Sequence, residues 1–275
     1  MAAFDNVRVG ASGFSFKDWR GPFYPESISA SRMLEYYSGF FDAVEINSSY
    51  YRMPTARMFA GMVRATDPDF GFVVKLHASM THGRDGSAFP FADFAEALRP
   101  LEESGRLLGL LAQFPYEFRR SDDNLSYLRL ARSRLERFPF FAEFRHDSWL
   151  GPETFEELRE MRAGWCSVDE PQLKGLMPPV AEATAPAAYV RFHGRNSADW
   201  WTPRPGSDRY LYDYSERELL EWVPKIESLS ARCESVLMFF NNCHFGNAPK
   251  NAKEMKKLLG LPVARARRGG ELEFD

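Results

Sequence analysis

The chain has 275 residues, of which 44% are hydrophobic and 15% aromatic, so it suits one large α/β barrel of about 250 residues better than two small domains. Its formal net charge of −3 provides no overall basic field, so long nucleic acid and membrane surfaces are not expected partners. The three cysteines form no CxxC pair, which disfavours a disulfide framework or a four-thiolate zinc site and favours a reducing cytoplasm. Residues 1–9 lack the apolar core of a signal peptide, and no run of about 18 apolar residues predicts a membrane span.

Short apolar runs recur along the chain, and amphipathic segments separate most of them. Each run has the length of a buried strand, and the segments between them repeat apolar residues at helical spacing. The predicted strands are Val7–Gly10, Ala43–Asn47, Phe72–Leu76, Leu108–Phe114, Phe140–Arg145, Trp165–Asp169, Ala188–His193 and Val236–Asn241. The predicted helices are Ser31–Phe40, Phe91–Leu101, Glu153–Met161, Leu219–Ser230 and Asn251–Leu259.

Alternating strands and helices indicate a parallel sheet, and eight such units readily close into a (β/α)8 barrel, the TIM barrel. An open doubly wound sheet is the alternative. It is disfavoured because Gly10, Gly13 and Gly21 do not form a dinucleotide-binding fingerprint after the first strand. We expect a single domain over residues 1–275, with its core at about 7–259 and a frayed tail at 264–275.

Two long connections are rich in aromatic residues, glycine and proline. Ser12–Glu26 follows the first predicted strand, and Gly194–Tyr214 follows the seventh. Both would lie at the C-terminal face of a parallel barrel, with Trp19 and Tyr210 bordering a pocket there. Aromatic side chains stack on sugars or nucleobases, although part of this set is expected to be ordinary packing.

Polar residues occupy the ends of nearly all the strands, where a barrel interior normally holds branched apolar side chains. Side chains two residues apart share a strand face, so Glu143 and Arg145 point the same way, as do Arg191 and His193. We expect the polar set to line the barrel mouth while the bulky residues that alternate with it pack under the helices. The set is Glu45, Asn47, Lys75, Gln113, Glu143, Arg145, Asp169, Arg191, His193 and Asn241.

Three acids and three bases of this set would converge on the barrel axis. One interpretation is a neutralised ion-pair network that fills the barrel, because a buried charge costs several kcal/mol unless it is paired. The other is a functional site, which is favoured because barrel enzymes keep their sites at this end.

Several short motifs occur in a specific order and spacing. They are Gly10–Phe14, Trp19–Pro25, Val44–Tyr51, Lys75, Thr81–His82, Gln113–Pro115, Glu143–His146 with Trp149, Val190–Arg195 and Phe240–Asn242. Together they resemble the YecE-like family, known as domain of unknown function 72, from about Val7 to Leu259. Phe14 and Cys243 depart from the pattern, standing where Trp and Asp are common. The resemblance implies a TIM barrel and no established activity.

The residues themselves favour an enzyme, of the hydrolase, lyase or isomerase type, that acts on a small anionic substrate resembling a sugar or a nucleotide. Glu45 and Glu143 are the acid–base candidates. His193 is a further catalytic candidate, as a general acid or base, the alternative being a neutral hydrogen-bonding residue. Arg145, Arg191 and His193 would hold the anion, because one carboxylate cannot neutralise two guanidinium groups. Lys75 and Asp169 would set the local field, and Asn241 would orient the ligand. Lys75 with a lowered pKa is also a candidate nucleophile, the alternative being an ion-paired lysine.

Two other functions remain open at this point. The barrel could be a non-catalytic module that captures a nucleotide or a nucleic-acid end. It could also be a metal-dependent phosphoesterase or isomerase in which carboxylates and His193 bind a divalent ion. Three nearby cations oppose metal entry, and the chain contains no HExxH motif. No other cofactor is expected, and the sequence leaves the oligomeric state open.

Overall fold

The computed structural model describes residues 4–84, 86–201 and 208–264, with the backbone alone at residue 208. The described residues form eight parallel strands in the order β1-β8-β7-β6-β5-β4-β3-β2, which make a nearly closed barrel with helices between the strands. The strands are β1 Val7–Ala11, β2 Ala43–Ile46, β3 Gly71–Lys75, β4 Leu107–Gln113, β5 Phe140–Glu143, β6 Gly164–Asp169, β7 Ala187–Phe192 and β8 Ser235–Phe240. The predicted (β/α)8 barrel is confirmed. The tail at 265–275 lies outside the described residues.

The helices of the described residues surround the barrel. They are α1 Met33–Ser38, α2 Ser48–Tyr51, α3 Ala56–Arg64, α4 Phe89–Ala97, α5 Arg99–Glu103, α6 Asp122–Arg134, α7 Pro152–Glu160, α8 Glu216–Leu220, α9 Val223–Arg232 and α10 Asn247–Leu258. No helix in the described ranges has the length and apolar character needed to cross a membrane.

Two predicted helices are each divided in two by a proline. Pro100 lies in the first turn of α5, and Pro224 lies in the first turn of α9. Proline lacks the N–H that a helix interior uses, so it is tolerated in a first turn and ends the helix before it. Hydrophobic periodicity did not single out α2, α3 and α6. Thr55 and Ser121 cap α3 and α6 by accepting hydrogen bonds from backbone N–H groups, a signal that would have located both.

The barrel closes where β1 approaches β2. Gly10 makes this approach possible, because a Cβ atom there would lie 2.1 Å from the carbonyl oxygen of Ala43. The hydroxyl of Tyr37 bridges the two strands by accepting a hydrogen bond from Ala11 N (2.6 Å) and donating one to Ala43 O (3.1 Å). A side chain of α1 therefore joins the two ends of the strand order.

The two faces of the strands differ as the alternation predicts, with one exception. Phe144 stacks on Trp149 with ring centroids 4.3 Å apart, and Phe192 contacts Trp222 at 5.2 Å, so both pack on the helix side. Phe141 and Tyr189 instead share the polar face, with ring centroids 4.9 Å apart. The barrel interior is thus filled by aromatic rings as well as by charges.

Candidate functional site

A cavity of about 380 Å³ opens at the C-terminal ends of the strands, and we call it the mouth cavity. Its walls come from the ends of β3 and β4, from helix α2, and from the loops that follow β3, β4, β5, β6 and β7. It is lined by Tyr50, Tyr51, Lys75, His82, Gln113, Pro115, Tyr116, Glu117, Arg145, Leu176, Trp200, Trp201, Arg209 and Tyr210. Its volume and partly aromatic walls are typical of a small-molecule site.

The lining carries an excess of positive charge. Among these described residues, Lys75, Arg145 and Arg209 are cations, and Glu117 is the one carboxylate. Both guanidinium groups lie against the ring of Trp200, Arg145 at 5.8 Å and Arg209 at 5.9 Å from its centroid. Two arginines from different parts of the chain therefore lie within 5.9 Å of the centroid of one indole ring.

Lys75, the last residue of β3, presents its amine to the mouth cavity. Its Nζ donates a hydrogen bond to Gln113 Oε1 over 2.8 Å and lies 4.4 Å from the ring centroid of Tyr50. Within the described ranges, no carboxylate lies close enough to form an ion pair with it. The pKa of Lys75 is lowered to about 7, chiefly by burial and then by the charge of Arg191, while Glu143 and Glu45 oppose the shift. The ion-paired lysine that the sequence offered as the alternative is not what the structure contains.

His82 lies beside Lys75 in the turn Ser79–Gly83 that follows β3. Its ring is 5.0 Å from the ring of Tyr50, and its Nδ1 is 3.0 Å from Thr81 Oγ1. Burial lowers the pKa of His82 to about 4, with Lys75 and Arg84 adding to the effect, so the imidazole is neutral at pH 7.

Four of the predicted site residues form an enclosed group that we call the buried cluster: Glu45, Glu143, Arg191 and His193. Arg191 Nη2 donates to Glu45 Oε1 over 2.7 Å, and its Nη1 donates to Glu143 Oε2 over 2.6 Å. All four side chains are at most 1% exposed, and none lines the mouth cavity. The four side chains therefore converge inside the barrel, as expected, but they do not line the mouth cavity. The two carboxylates neutralise the charge of Arg191 through its two terminal nitrogens, while its buried Nε has no hydrogen-bond partner.

Glu143 is held as a carboxylate within the buried cluster. Burial alone would raise its pKa, but the charges of Arg191 and Arg145 outweigh burial and hold the pKa well below its usual range. Glu45 also accepts a hydrogen bond from the hydroxyl of Tyr189. An enclosed, ionised carboxylate is a poor general acid, so the structure does not support that role for Glu143. Glu45 is enclosed as well and is already bonded to Arg191 and Tyr189.

The protonation state of His193 follows from its neighbours. Nδ1 lies 3.1 Å from Asn241 Nδ2 and 3.4 Å from Arg145 Nη2, and both of these atoms are donors. Nδ1 therefore accepts, which assigns the proton to Nε2, 3.2 Å from Glu143 Oε1. Burial lowers the pKa of His193 to about 3, with Arg145 adding to the effect. A neutral, enclosed imidazole orients its neighbours rather than holding an anion.

Asn47 and Asn241 extend this network away from the mouth cavity. Asn47 Nδ2 lies 3.4 Å from Asn241 Oδ1 and 3.3 Å from the carbonyl oxygen of Ser12. Neither amide lines the mouth cavity. The structure uses both to fix the His193 ring.

Arg145 connects the buried cluster with the mouth cavity. Its Nε lies 2.7 Å from Glu143 Oε1, and its Nη1 donates to Glu170 Oε2 over 2.9 Å. The third nitrogen, Nη2, makes only long contacts, 3.4 Å to His193 and 3.5 Å to the hydroxyl of Tyr210. The guanidinium is thus fixed on two sides and presents its remaining nitrogen to the cavity.

Glu170, which sequence reasoning missed, occupies the place expected for Asp169. Strand β6 turns Cys166 inward, with its Sγ 3.8 Å from Glu143 Oε2, so Asp169 faces the helices. There Asp169 accepts hydrogen bonds from Arg195, Tyr214 and Trp222, each at 2.7 Å. The expectation that Asp169 points to the barrel axis is wrong because the inward parity of β6 was misassigned. Glu170 follows the last strand residue, where the alternation ends.

Two aromatic residues were expected to border the pocket, and the structure separates them. Tyr210 lines the mouth cavity. Trp19 is 0% exposed, stacks on Phe16 with ring centroids 4.8 Å apart, and donates its indole N–H to the carbonyl oxygen of Cys243. The expected ligand contact of Trp19 is therefore wrong, because its ring packs under the loop that follows β1. Part of the loop Gly194–Tyr214, residues 202–207, lies outside the described residues.

Four predicted site residues do line the mouth cavity: Lys75, Gln113, Arg145 and Tyr210. Arg209, Tyr116 and Glu117 line it without having been singled out. Arg209 could have been found because the loops after the seventh and eighth strands often hold phosphate in this fold, and it precedes Tyr210 there. The sequence around Tyr116 and Glu117 carried no such signal.

The residues considered as metal ligands are not arranged as a metal site would require. Arg191 lies between Glu45 and Glu143 and bonds to both, while Asp169 lies on the opposite face of the sheet. In the part of the chain that the structure describes, no three His, Cys, Asp or Glu side chains are grouped so as to hold a metal ion.

Comparison with known proteins identifies relatives along nearly the whole chain. The model of the family described as "Protein of unknown function DUF72" matches residues 8–271, which confirms the resemblance that the motifs indicated. UPF0759 protein YunF of Bacillus subtilis is 35% identical over 271 residues, which cover 93% of this chain and 95% of YunF. A crystal structure of a DUF72 family protein from Thermotoga maritima has a TM-score of 0.86 at 42% identity and covers 92% of this chain and 99% of its own. One from Enterococcus faecalis has a TM-score of 0.84 at 27% identity, with coverages of 95% and 99%.

Proposed function

We propose that this chain, which belongs to the family of proteins of unknown function DUF72, is an enzyme with its active site in the mouth cavity. It would bind a small anionic substrate that resembles a sugar or a nucleotide. Lys75 would be the reactive amine that moves a proton on this substrate. The observation that carries the proposal is the amine of Lys75, which faces the cavity beside Arg145 and has an amide oxygen and a ring as its partners instead of a carboxylate. The corresponding reactions are isomerisation and elimination.

The anionic group of the substrate would be held by Arg145 and Arg209. Arg145 is positioned by Glu143 and Glu170 and keeps one nitrogen for a ligand, and Arg209 shares the Trp200 ring with it. A hydrogen bond to a charged group contributes about 1.5–3 kcal/mol, so two such contacts would account for useful affinity. Guanidinium groups suit phosphate and carboxylate because they bind both in bidentate geometry.

Lys75 is suited to the chemistry because it is reachable and partly deprotonated. A catalytic base works best when its pKa is close to the working pH, and that of Lys75 is lowered to about 7. The carboxylates of the buried cluster are enclosed and already bonded to Arg191, so they cannot meet a substrate. Proton transfer on the substrate is therefore assigned to the amine.

The walls of the cavity supply flat apolar surfaces for the rest of the molecule. Tyr50, Trp200 and Tyr210 line the interior, and Trp201 lies at the rim with 48% of its surface exposed. Rings of this kind pack on the faces of sugars and nucleobases at about 1–3 kcal/mol for each stacked base. This arrangement favours a substrate with a ring or a sugar-like chain over a simple inorganic anion.

Anion binding is tested by thermal unfolding in phosphate, sulfate and citrate at constant ionic strength. Ligand at 100 times its dissociation constant stabilises a protein by about 2.7 kcal/mol, which gives a measurable rise in Tm. The wild type and Arg134→Met, an exposed change on α6, should respond alike, whereas Arg209→Met should lose most of the response. A wild type that does not respond would contradict the binding role.

Proton transfer is tested by incubating the protein with a panel of sugar phosphates in D2O and following carbon-bound deuterium by NMR. The wild type should catalyse exchange at one carbon of at least one compound, and Lys75→Met should abolish it while retaining the wild-type fold by circular dichroism. Equal exchange by the wild type and Lys75→Met would contradict the role of the amine. So would a wild type that catalyses none across the panel.

A further inference from the structure

We propose that Lys75 acts covalently, forming an imine with the carbonyl carbon of a small aldehyde or ketone that carries an anionic group. This inference rests on the proposed function, because it uses the same cavity, and it narrows the substrate class from any small anion to carbonyl compounds. It is carried by the polar contacts of the amine, by the other cations of the cavity and by the chemistry of imine formation.

The contacts of Lys75 leave its nitrogen available as a nucleophile. A carboxylate partner would hold the amine as an ammonium ion. The amine of Lys75 instead donates its hydrogen bond to Gln113 Oε1, an uncharged amide oxygen. Gln113 is itself fixed, since its Nε2 donates to the carbonyl oxygen of Phe114 over 2.6 Å. The amide oxygen is therefore constrained to face Lys75 and to accept one N–H, and it carries no negative charge that would favour protonation.

The other cations of the cavity act on the amine in the same direction. Arg145 and Arg209 line the same space, and Arg191 lies in the buried cluster at the base of the barrel mouth. Neighbouring positive charges and burial both disfavour an ammonium ion, and these are the two ways in which proteins activate lysine as a nucleophile. The lowered pKa of Lys75 agrees with this arrangement.

The anionic end and the carbonyl end of the ligand would have different partners in the cavity. The anionic group would contact Arg145 and Arg209, and the carbonyl group would lie against Lys75 across the cavity. A volume of about 380 Å³ accommodates a compound of this size. Holding the anion also places the carbonyl carbon beside the nitrogen, and such positioning lowers the barrier to attack.

The step balances without any additional reactant. The lone pair of Nζ forms a bond to the carbonyl carbon, and the π electrons of the carbonyl bond move to its oxygen, which takes a proton that leaves the nitrogen. The resulting carbinolamine then loses its hydroxyl group with the second N–H proton as water, leaving the C=N bond. Protonation of this imine by solvent withdraws electrons from the adjacent carbon, whose C–H becomes acidic and loses its proton to solvent water. In this route Lys75 promotes the proton transfer through the imine and does not itself remove the proton. Imine formation therefore provides a route for the deuterium exchange expected above.

The experiment uses pyridoxal 5′-phosphate as an aldehyde that carries an anion, and pyridoxal as the matched aldehyde without one. The full chain is incubated with each probe, reduced with borohydride and analysed by intact mass and peptide mapping. We expect one adduct per chain at Lys75 with the phosphorylated probe, at a concentration at least tenfold lower than pyridoxal requires. Inorganic phosphate should compete with the phosphorylated probe.

Variants separate the covalent step from the folding of the chain. Lys75→Arg should remove the adduct, whereas Lys174→Arg, an exposed lysine outside the cavity lining, should retain it. Arg209→Met should weaken labelling by the phosphorylated probe much more than labelling by pyridoxal. Adducts spread over surface lysines, or an unmodified Lys75, would overturn the imine proposal. If phosphate still raises the Tm of the wild type in that case, the anion-binding function survives. If phosphate has no effect, both proposals fail together.

Discussion

Glu170 fixes Arg145 at the edge of the mouth cavity, with Arg145 Nη1 donating to Glu170 Oε2 over 2.9 Å. The other oxygen of Glu170 accepts the backbone N–H of Met177 over 3.0 Å. One carboxylate thus holds both an arginine that faces the ligand space and the loop that carries Leu176 into the cavity wall. The geometry of the candidate site depends on a residue that itself never reaches the cavity lining.

This relationship predicts a pH dependence. Burial raises the pKa of Glu170 to about 7, although Arg145 and the N–H of Met177 oppose the shift. Between the unfolded pKa of about 4.3 and the folded pKa, the folded chain keeps a proton that the unfolded chain has lost, so the contribution of Glu170 to stability falls as pH rises through this window. Glu170→Gln cannot titrate. The free energy of unfolding of the wild type minus that of Glu170→Gln should therefore decrease from about pH 5 to about pH 8, as measured by urea unfolding.

The control for this experiment is Glu182→Gln, which removes the partner of Arg159 at the surface. Its stability difference from the wild type should stay nearly constant over the same range. A difference for Glu170→Gln that grows with pH would mean that its folded pKa is lowered, and the burial argument would be wrong.

The buried cluster makes a second prediction. Glu143→Gln would leave Arg191 and Arg145 short of one negative charge in an enclosed space, and breaking a buried ion pair typically costs about 3–5 kcal/mol. We expect a loss of this size in the free energy of unfolding, measured with urea. Glu157→Gln, which removes an ion pair with the more exposed Arg129, should cost less than about 1 kcal/mol. A stable Glu143→Gln protein that lost only its activity would instead restore Glu143 as an acid–base residue.

The barrel seam makes a third prediction. Tyr37→Phe removes the hydroxyl that joins Ala11 N to Ala43 O and leaves a buried N–H without its partner. An unsatisfied buried donor costs about 1–3 kcal/mol, so the variant should unfold at a lower urea concentration by a corresponding amount. Tyr51→Phe, at a ring that is 81% exposed, should change stability by less than about 0.5 kcal/mol. Equal stability of both variants would show that the seam does not depend on this hydroxyl.

The sequence predicted the fold much better than the site, and the reason is physical. A run of apolar residues predicts a buried strand, so all eight strands were located to within two residues at each end. Which face of a strand points inward depends on its register with the neighbouring strands, and the sequence does not show this register. Asp169 was therefore expected to point inward, where the structure instead has Glu170. The partners of a charge are equally non-local. Arg191 bonds to Glu45 across 146 positions of sequence, so residue types alone could not show that it is already neutralised.

Residues such as Lys75 and Arg145 were located because they end strands, and the strand ends meet at one face of a parallel barrel. Arg209 lies in a long loop whose path no periodicity predicts. What distinguishes Lys75 from the buried cluster is also invisible in the sequence. Lys75 and the residues of the buried cluster are all polar or charged residues near strand ends. Only the structure shows that Lys75 faces a cavity while the buried cluster is enclosed.

The fourth prediction concerns the amine itself. Because the folded pKa of Lys75 is lowered to about 7 while the unfolded chain retains a pKa of about 10.4, the unfolded chain binds more protons between these values. The stability contribution of Lys75 is therefore fully present above the unfolded pKa and is lost as pH falls toward 7. Lys75→Met keeps a long side chain but cannot titrate, so the wild type should gain stability relative to this variant from about pH 7 to about pH 9.5. Urea unfolding measures the difference, and Lys250→Met, at an exposed lysine paired with Asp213, should show no comparable gain. A flat difference for Lys75→Met would mean that Lys75 remains an ordinary ammonium ion at neutral pH. The arginines proposed to bind an anion would then remain in the mouth cavity, but the role proposed for the amine would be lost.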